Sequence, residues 1–381
     1  MAGRRIAALA LAGIAAGLLA SSVPLLDREG AERLRSAVLA AQTRPGDLWP
    51  EGHVQEFSVQ ADGASMRCWA KAFGPPMPGR PLFISLHGGG SAPPQVNDQQ
   101  WRNQQRLYAP TNGVYVAPRA PADAWDMWHQ APMTPLIDAL IAKLAREQAI
   151  DTDRVYLMGY SAGGDGVYQL ATRMADRFGA AAMMAGHPNE TKPDGLRNLP
   201  FTLHMGGKDA AFDRARIAQD WSDKLDALAS ADPGGYPHLV VIHPEKGHWM
   251  DREDAVAVPW MAEHRRVARP DRVVWLQDDV VETRFYWLEN PDPRPAQRVS
   301  VSRKGQEIRV ESAEGVRRLA FLLDDGMLDL NRPVRVTMDD RVLFEGVVPR
   351  SAETLRRTAN TRGDAAKAFT ARLEVEVPDR E

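Results

Sequence analysis

The sequence predicts an α/β fold: a doubly wound, mostly parallel sheet, followed by an all-β accessory region at the C-terminus. Three observations carry this expectation. Short apolar runs recur from Leu82 to Ile242, and segments with helical periodicity separate them. Buried parallel strands read as continuous apolar runs because helices cover both faces of their sheet. Beyond Arg269-Pro270-Asp271 the helices thin out, and short alternating runs are parted by Pro, Asn and Asp. At 381 residues the chain exceeds the usual size of one core. The expected division is a signal segment over 1–23, the α/β region over 24–268 and the β-rich region over 269–381.

The elements follow in order. Arg4 and Arg5 precede an apolar stretch from Ile6 to Ala20, and Ala20-Ser21-Ser22 offers a cleavage site, as in an export signal. The stretch is shorter than the roughly 20 residues of a membrane span. Membrane contact is therefore expected only through this segment, and the remainder is expected in the periplasm or medium. Asp27 to Thr43 reads as a charged lead-in helix. Val54 to Val59 and Met66 to Phe73 alternate as an antiparallel pair. The parallel strands are Leu82 to Leu86, Val114 to Ala117, Val155 to Met158, Ala180 to Met184, Phe201 to Met205 and Leu239 to Ile242. Helices are expected at Pro135 to Gln148, Gly164 to Arg177 and Asp213 to Ala229. The β-rich region supplies strands at Val273 to Leu276, Glu282 to Leu288, Arg298 to Ser302, Gln306 to Ser312, Leu319 to Leu323, Val334 to Met338 and Val342 to Val347. A helix near Ala352 to Thr358 and a strand at Ala371 to Val377 close it.

Composition excludes several classes of function. With 47 basic against 50 acidic residues, no cationic surplus is present to follow a phosphate backbone, so no nucleic-acid partner is expected. The single cysteine, Cys68, permits neither an internal disulfide nor a multi-cysteine metal site. The 9 histidines show no HExxH-type spacing, and neither metal nor cofactor is expected.

In doubly wound sheets ligands bind beyond the carboxyl ends of the strands, so chemistry is sought there. The run Val155 to Met158 enters Gly159-Tyr160-Ser161-Ala162-Gly163-Gly164, and a helical pattern follows. A G-x-S-x-G turn between strand and helix presents a serine hydroxyl at the top of a sheet. The run Leu82 to Leu86 ends in His87-Gly88-Gly89-Gly90, whose glycine backbone can aim N–H groups at an oxyanion together with the amide of Ala162. Oxyanion-hole candidates are thus Gly88, Gly89 and Ala162. An acid and then a histidine should follow. Phe201 to Met205 leads to Asp209, with Asp213 as a rival that reads as the cap of the next helix. Leu239 to Ile242 leads to His248 on a loop, while His243 still belongs to the strand end. A serine hydroxyl is a weak nucleophile until a base takes its proton, and histidine titrates in the right range. The acid holds the imidazole tautomer. Trp125, Trp128, His129 and Trp249 either rim the site, with Trp128 and Trp249 as the substrate-binding candidates, or cap the core and cover the contact between the two regions; His187 is a weaker candidate for the pocket.

Residues 80–250, with HGGG, GYSAGG, GGKD and KGHW, resemble the α/β-hydrolase superfamily, and within it secreted esterases of the dienelactone-hydrolase, polyhydroxybutyrate-depolymerase and feruloyl-esterase kind. The resemblance implies a triad of Ser161, Asp209 and His248 that cleaves a carboxylic ester through an acyl-serine intermediate. The expected partner is a small-molecule or polymer-derived ester. Two other readings compete. A serine peptidase of the prolyl-oligopeptidase type uses the same triad, but the stretch before Leu82 is too short for its propeller. A non-catalytic binding protein on a hydrolase scaffold has no need of an intact serine, histidine and acid.

Overall fold

The computed structural model describes residues 26–42, 46–362 and 364–378, so the expected signal segment lies outside the described residues. Helix α1 (Arg28–Gln42) precedes the hairpin of β1 (Val54–Ala61) and β2 (Ala64–Phe73). Then come β3 (Arg80–Leu86), α2 (Pro94–Gln104), β4 (Gly113–Pro118), α3 (Met133–Gln148), β5 (Ile150–Tyr160) and α4 (Ala162–Arg173). The series continues with β6 (Ala180–Met184), β7 (Phe201–Gly206), α5 (Arg214–Ala231), β8 (His238–His243) and α6 (Ala257–Ala262).

These eight strands form one sheet in the order β1-β2-β4-β3-β5-β6-β7-β8. β2 runs antiparallel to both its neighbours, and the pairs from β3 onward are parallel. This is the α/β-hydrolase arrangement. Leu82, Ile84 and Leu86 of β3 enter one apolar cluster, whereas Phe83 enters a second with Tyr115, Tyr156 and Met184. Successive side chains point to opposite faces, so both faces of this strand are under apolar cover. Strand order reverses between β3 and β5, and the crevice of such sheets opens at this switch point.

Every parallel strand read from the sequence is present. Helix α2 was not foreseen, because Val96 and Trp101 are its only aliphatic or aromatic residues. Its buried positions are Asn97, Trp101 and Gln104, which share one face at helical spacing. The inner face is polar because it serves polar targets: Gln104 donates to Ser85 Oγ at 2.7 Å, and Asn97 holds the loop after β3.

The C-terminal region contains β9 (Arg272–Leu276), β10 (Arg284–Phe285), β11 (Leu288–Glu289), β12 (Arg298–Lys304), β13 (Glu307–Glu314) and β14 (Arg318–Leu323). β15 (Val334–Met338), β16 (Arg341–Gly346), α7 (Ala352–Arg362) and β17 (Ala371–Glu376) complete it. They build two further sheets, β10-β11-β14-β17 and β16-β15-β13-β12-β9. The single strand expected over Glu282 to Leu288 is instead a tight hairpin of β10 and β11, turned at Tyr286 with φ of 54°.

Apolar contacts of two kinds help tie this region to the rest. The cluster that holds Leu82 and Leu86 also contains Trp287, Phe321 and Val375, so apolar packing is continuous across the seam. Helix α1, expected to lead into the hydrolase, packs Leu34, Val38 and Leu39 on Leu355 and Ala359 of α7. Among the described residues no helix is long and apolar enough to cross a membrane.

Candidate active site

The turn between β5 and α4 holds Ser161 at φ 59° and ψ −124°, with its amide donating to Met184 O at 2.9 Å. A non-glycine residue in such a region costs on the order of 1–3 kcal/mol, which the surroundings must offset. The flanking glycines make the turn feasible. A Cβ on Gly159 would lie 2.2 Å from Gly163 O, and one on Gly163 would lie 2.1 Å from Leu86 O. The G-x-S-x-G spacing is thus a record of two backbone collisions avoided.

Three strand-end residues converge at this turn. His248, on the loop after β8, places Nε2 2.9 Å from Ser161 Oγ and Nδ1 2.7 Å from Asp209 Oδ2. Asp209, just past β7, is buried, so Nδ1–H donates to the carboxylate and Nε2 accepts from the serine hydroxyl. The rivals lie elsewhere. Asp213 is exposed and pairs with Arg216 at 2.5 Å; it stands at the start of α5 but makes no side-chain capping bond, contrary to expectation. His243 is buried between Glu253 and His204. Arg214, with little of its side chain exposed, brings Nη1 to 3.8 Å from the second oxygen of Asp209.

The loop after β3 lies against the serine. A Cβ on Gly88 would be 3.1 Å from Ser161 Cβ, and Gly89 has φ of 112°. Three side chains hold this loop, and to two of them, His87 and Asn97, the sequence reading gave no such role. His87 is fully buried, and Nδ1–H donates to Gly88 O at 2.6 Å because Nε2 accepts from the Ala120 amide at 3.1 Å. Burial lowers its pKa to about 4, so the ring is neutral. Asn97 Oδ1 accepts from the Gly90 amide at 2.9 Å, while Nδ2 donates to Asp123 at 2.8 Å. Trp128 Nε1 donates to His87 O at 2.9 Å.

That bond corrects the reading of Trp128. It was expected at the mouth as a substrate-binding residue, but it is buried beneath the loop, with its Cβ in the space that a Cβ on Gly166 would enter. An indole N–H must find an acceptor when buried, and the carbonyl of His87 is that acceptor. Trp249 is half-exposed beside His248, and Trp125 is exposed with its backbone against Gly90. With Phe212, next to the Asp209 turn, these are the three exposed aromatic side chains among the described residues. All three stand at the catalytic end.

His187 gives its amide to Asp165 Oδ1 at 2.6 Å and is half-buried. Asp165, in the first turn of α4, is pushed up to about 6 by burial. Among the described residues, Glu190, Asp278 and Asp279 form a group of carboxylates within 4.8 Å of one another, and Arg173, 3.4 Å from Asp279, is its resident countercharge.

Residues 114–262 match the model of the dienelactone hydrolase family, a span that contains Ser161, Asp209 and His248 but starts after the His87–Gly90 loop. The chain is 35% identical over 161 residues to a bifunctional acetylxylan esterase/xylanase of Neocallimastix patriciarum, covering 41% of this chain and 23% of that protein. It is 27% identical over 176 residues to feruloyl esterase B of Thermothelomyces thermophilus, covering 43% of this chain and 57% of that protein. The matched segment therefore spans under a quarter of the first relative and little more than half of the second. Among solved structures, a thermostable esterase matches with 21% identity and a TM-score of 0.42, covering 56% of this chain and 63% of that one. A ferulic acid esterase matches with 14% identity and a TM-score of 0.42, covering 56% of this chain and 99% of that one.

Proposed function

We propose that this chain, with its dienelactone hydrolase family segment, cleaves a carboxylic ester through an acyl-serine intermediate. The observation that carries the reading is the relay from Asp209 Oδ2 through His248 to Ser161 Oγ, at 2.7 and 2.9 Å, on a serine held at φ 59°. In this mechanism His248 Nε2 takes the hydroxyl proton as Oγ attacks the ester carbonyl. The amides of Ala162 and of Gly88 or Gly89 receive the oxyanion, helped by the N-terminus of α4. The imidazolium then returns its proton to the departing alcohol oxygen. Water, deprotonated by the same nitrogen, releases the acid. Asp209 orients the ring and stabilises the imidazolium.

The exposed rings of Trp125, Phe212 and Trp249 support a substrate with flat faces to stack on, a sugar or a phenolic acid. The names of the relatives, an acetylxylan esterase and a feruloyl esterase, point the same way. In our reading the chain is exported through residues 1–23, and residues 269–381 form a structural accessory region. Protein recovered outside the cytoplasm should begin near residues 21–24; one that retains Met1 contradicts cleavage of this segment.

The reading is tested with a fluorophosphonate probe and p-nitrophenyl acetate. Wild type should gain one adduct by intact mass, and Ser161→Ala should gain none and lose turnover by about 10⁴- to 10⁶-fold. Equal labelling of the two proteins would remove Ser161 from the mechanism.

A further inference from the structure

The base of this relay sits on a loop, and a loop must be held if its imidazole is to stay within reach of a serine on another element. The main chain of Gly207–Lys246 is tied by bonds such as Lys208 N to Lys246 O at 2.8 Å and Lys246 N to His243 O at 3.1 Å. Beyond it, Glu253 N donates to Met250 O at 3.0 Å, and Tyr108 donates to Asp254. Between these anchors lies the segment that carries His248. Among the described residues, the main chain of residues 247–249 has one hydrogen bond, and it comes from Tyr160.

Tyr160 is the last residue of β5 and the direct neighbour of Ser161. Its hydroxyl donates to His248 O at 2.6 Å and accepts from Met250 N at 3.0 Å, so both sides of the oxygen are engaged with the base loop. The side chain is buried, and its ring stands edge-on to the His248 imidazole with centroids 6.0 Å apart. Burial pushes the phenol upward in pKa, which keeps it a donor. On its other side, the Ser161 amide is bonded to Met184 O. Nucleophile and clasp are thus adjacent residues on one rigid turn.

We propose that Tyr160 is the positioning residue of the base: its hydroxyl sets the His248 carbonyl, and with it the distance from the imidazole to Ser161 Oγ. The inference rests on the assignment of His248 as base. It makes the second position of the G-x-S-x-G turn a functional one, chosen for a hydroxyl that reaches the histidine loop. A general packing role predicts something different, and Tyr156 supplies the control. Tyr156 lies on the same strand, is also buried, and donates to His264 O at 2.8 Å, away from the serine.

The experiment compares Tyr160→Phe with Tyr156→Phe, each keeping its ring and losing one buried hydroxyl. For Tyr160→Phe, kcat on p-nitrophenyl acetate and the fluorophosphonate labelling rate should fall together by about 10- to 100-fold, the usual cost of a displacement near 1 Å, with KM held within about twofold. Tyr156→Phe should keep wild-type kcat at a similar loss of Tm. Wild-type kcat in Tyr160→Phe, or an equal loss in both variants, overturns the inference. If Tyr160→Phe does not fold, 3,5-difluorotyrosine at position 160 preserves the shape and alters the hydroxyl alone; it must change kcat and not KM, and an unchanged kcat overturns the inference as well. A wild type that takes no label at Ser161 instead condemns the acyl-serine reading, and this inference with it.

Discussion

The catalytic end and the seam with the C-terminal region both depend on carboxylates, and they use them in opposite ways. Asp209 meets one imidazole at 2.7 Å, on a histidine whose side chain is 42% exposed. Asp364 is wholly buried and meets Arg266 at 2.5 Å, Arg177 at 3.0 Å and its neighbour's amide, Ala366 N, at 3.0 Å. Burial alone would push Asp364 up, but the two guanidiniums and Lys367 outweigh it and hold the carboxyl well below the ordinary range. Further pairs run along the seam. Lys367 reaches Asp176 at 2.8 Å, and Glu289 accepts from Arg284, Arg357 and Arg372 at 2.6 to 2.7 Å. The difference follows from what each charge must do. In the proposed mechanism the imidazole gains and loses a proton in every turnover, which its partial exposure allows. At the seam the charges take no part in the proposed chemistry and are held by fixed partners, so a missing partner is costly.

That contrast separates loss of turnover from loss of stability, and the largest effect belongs to the site. Asp209→Asn should lower kcat by roughly four orders of magnitude, because the amide favours the wrong imidazole tautomer. Asp213→Asn, on an exposed carboxylate paired with Arg216, should leave kcat nearly unchanged. Steady-state kinetics on the two variants decides it, and the reverse order would reassign the acid. Next comes the seam. Asp364→Asn leaves Arg266 and Arg177 short of a buried counter-ion and should cost about 3–5 kcal/mol in urea unfolding, with kcat per folded molecule retained. A large loss of kcat in the folded variant would join the two regions that the comparison keeps apart.

The smallest effect is one of pH. Burial raises the Glu289 carboxyl, but hydrogen bonds from Arg357 and Arg372 outweigh it and lower it from 4.5 to about 2. The folded state therefore binds fewer protons than the unfolded one between these values. The stabilisation is present above the unfolded value, and it is lost as pH falls from about 4.5 toward about 2. Glu289→Gln should flatten the decline of the urea midpoint over that window relative to wild type. An unchanged slope would show that these arginines do not hold the carboxylate in solution.

The two regions also differ in how far they can be read from sequence. The strand-end residues that meet at the candidate site were legible because each motif is local. Ser161 sits inside its own turn, and Asp209 and His248 each lie a few residues beyond an apolar run. Helix α2 was not legible, because its buried face of Asn97, Trp101 and Gln104 carries hydrogen bonds where apolar residues would mark a face. Trp128 was misplaced for a related reason. An aromatic after a strand end has the same sequence context whether it points at the mouth or beneath the loop, and only the carbonyl of His87 decided between them.

By itself the sequence determined the order of the parallel strands, the strand-to-helix turn at Ser161 and the residues carried by each strand end. Those depend on periodicity and on spacing along the chain, which covalent geometry transmits without knowledge of the fold. Only the tertiary structure decided which groups meet across distance. It brought Tyr160 to the loop of His248, 88 residues away, and Asp364 to Arg177, 187 residues away. It also laid α1 on α7, although the two lie at opposite ends of the chain. No local pattern encodes such pairs. Their partners are selected by the burial of many side chains at once, which orders the chain and then leaves each buried polar group with the partner it must satisfy.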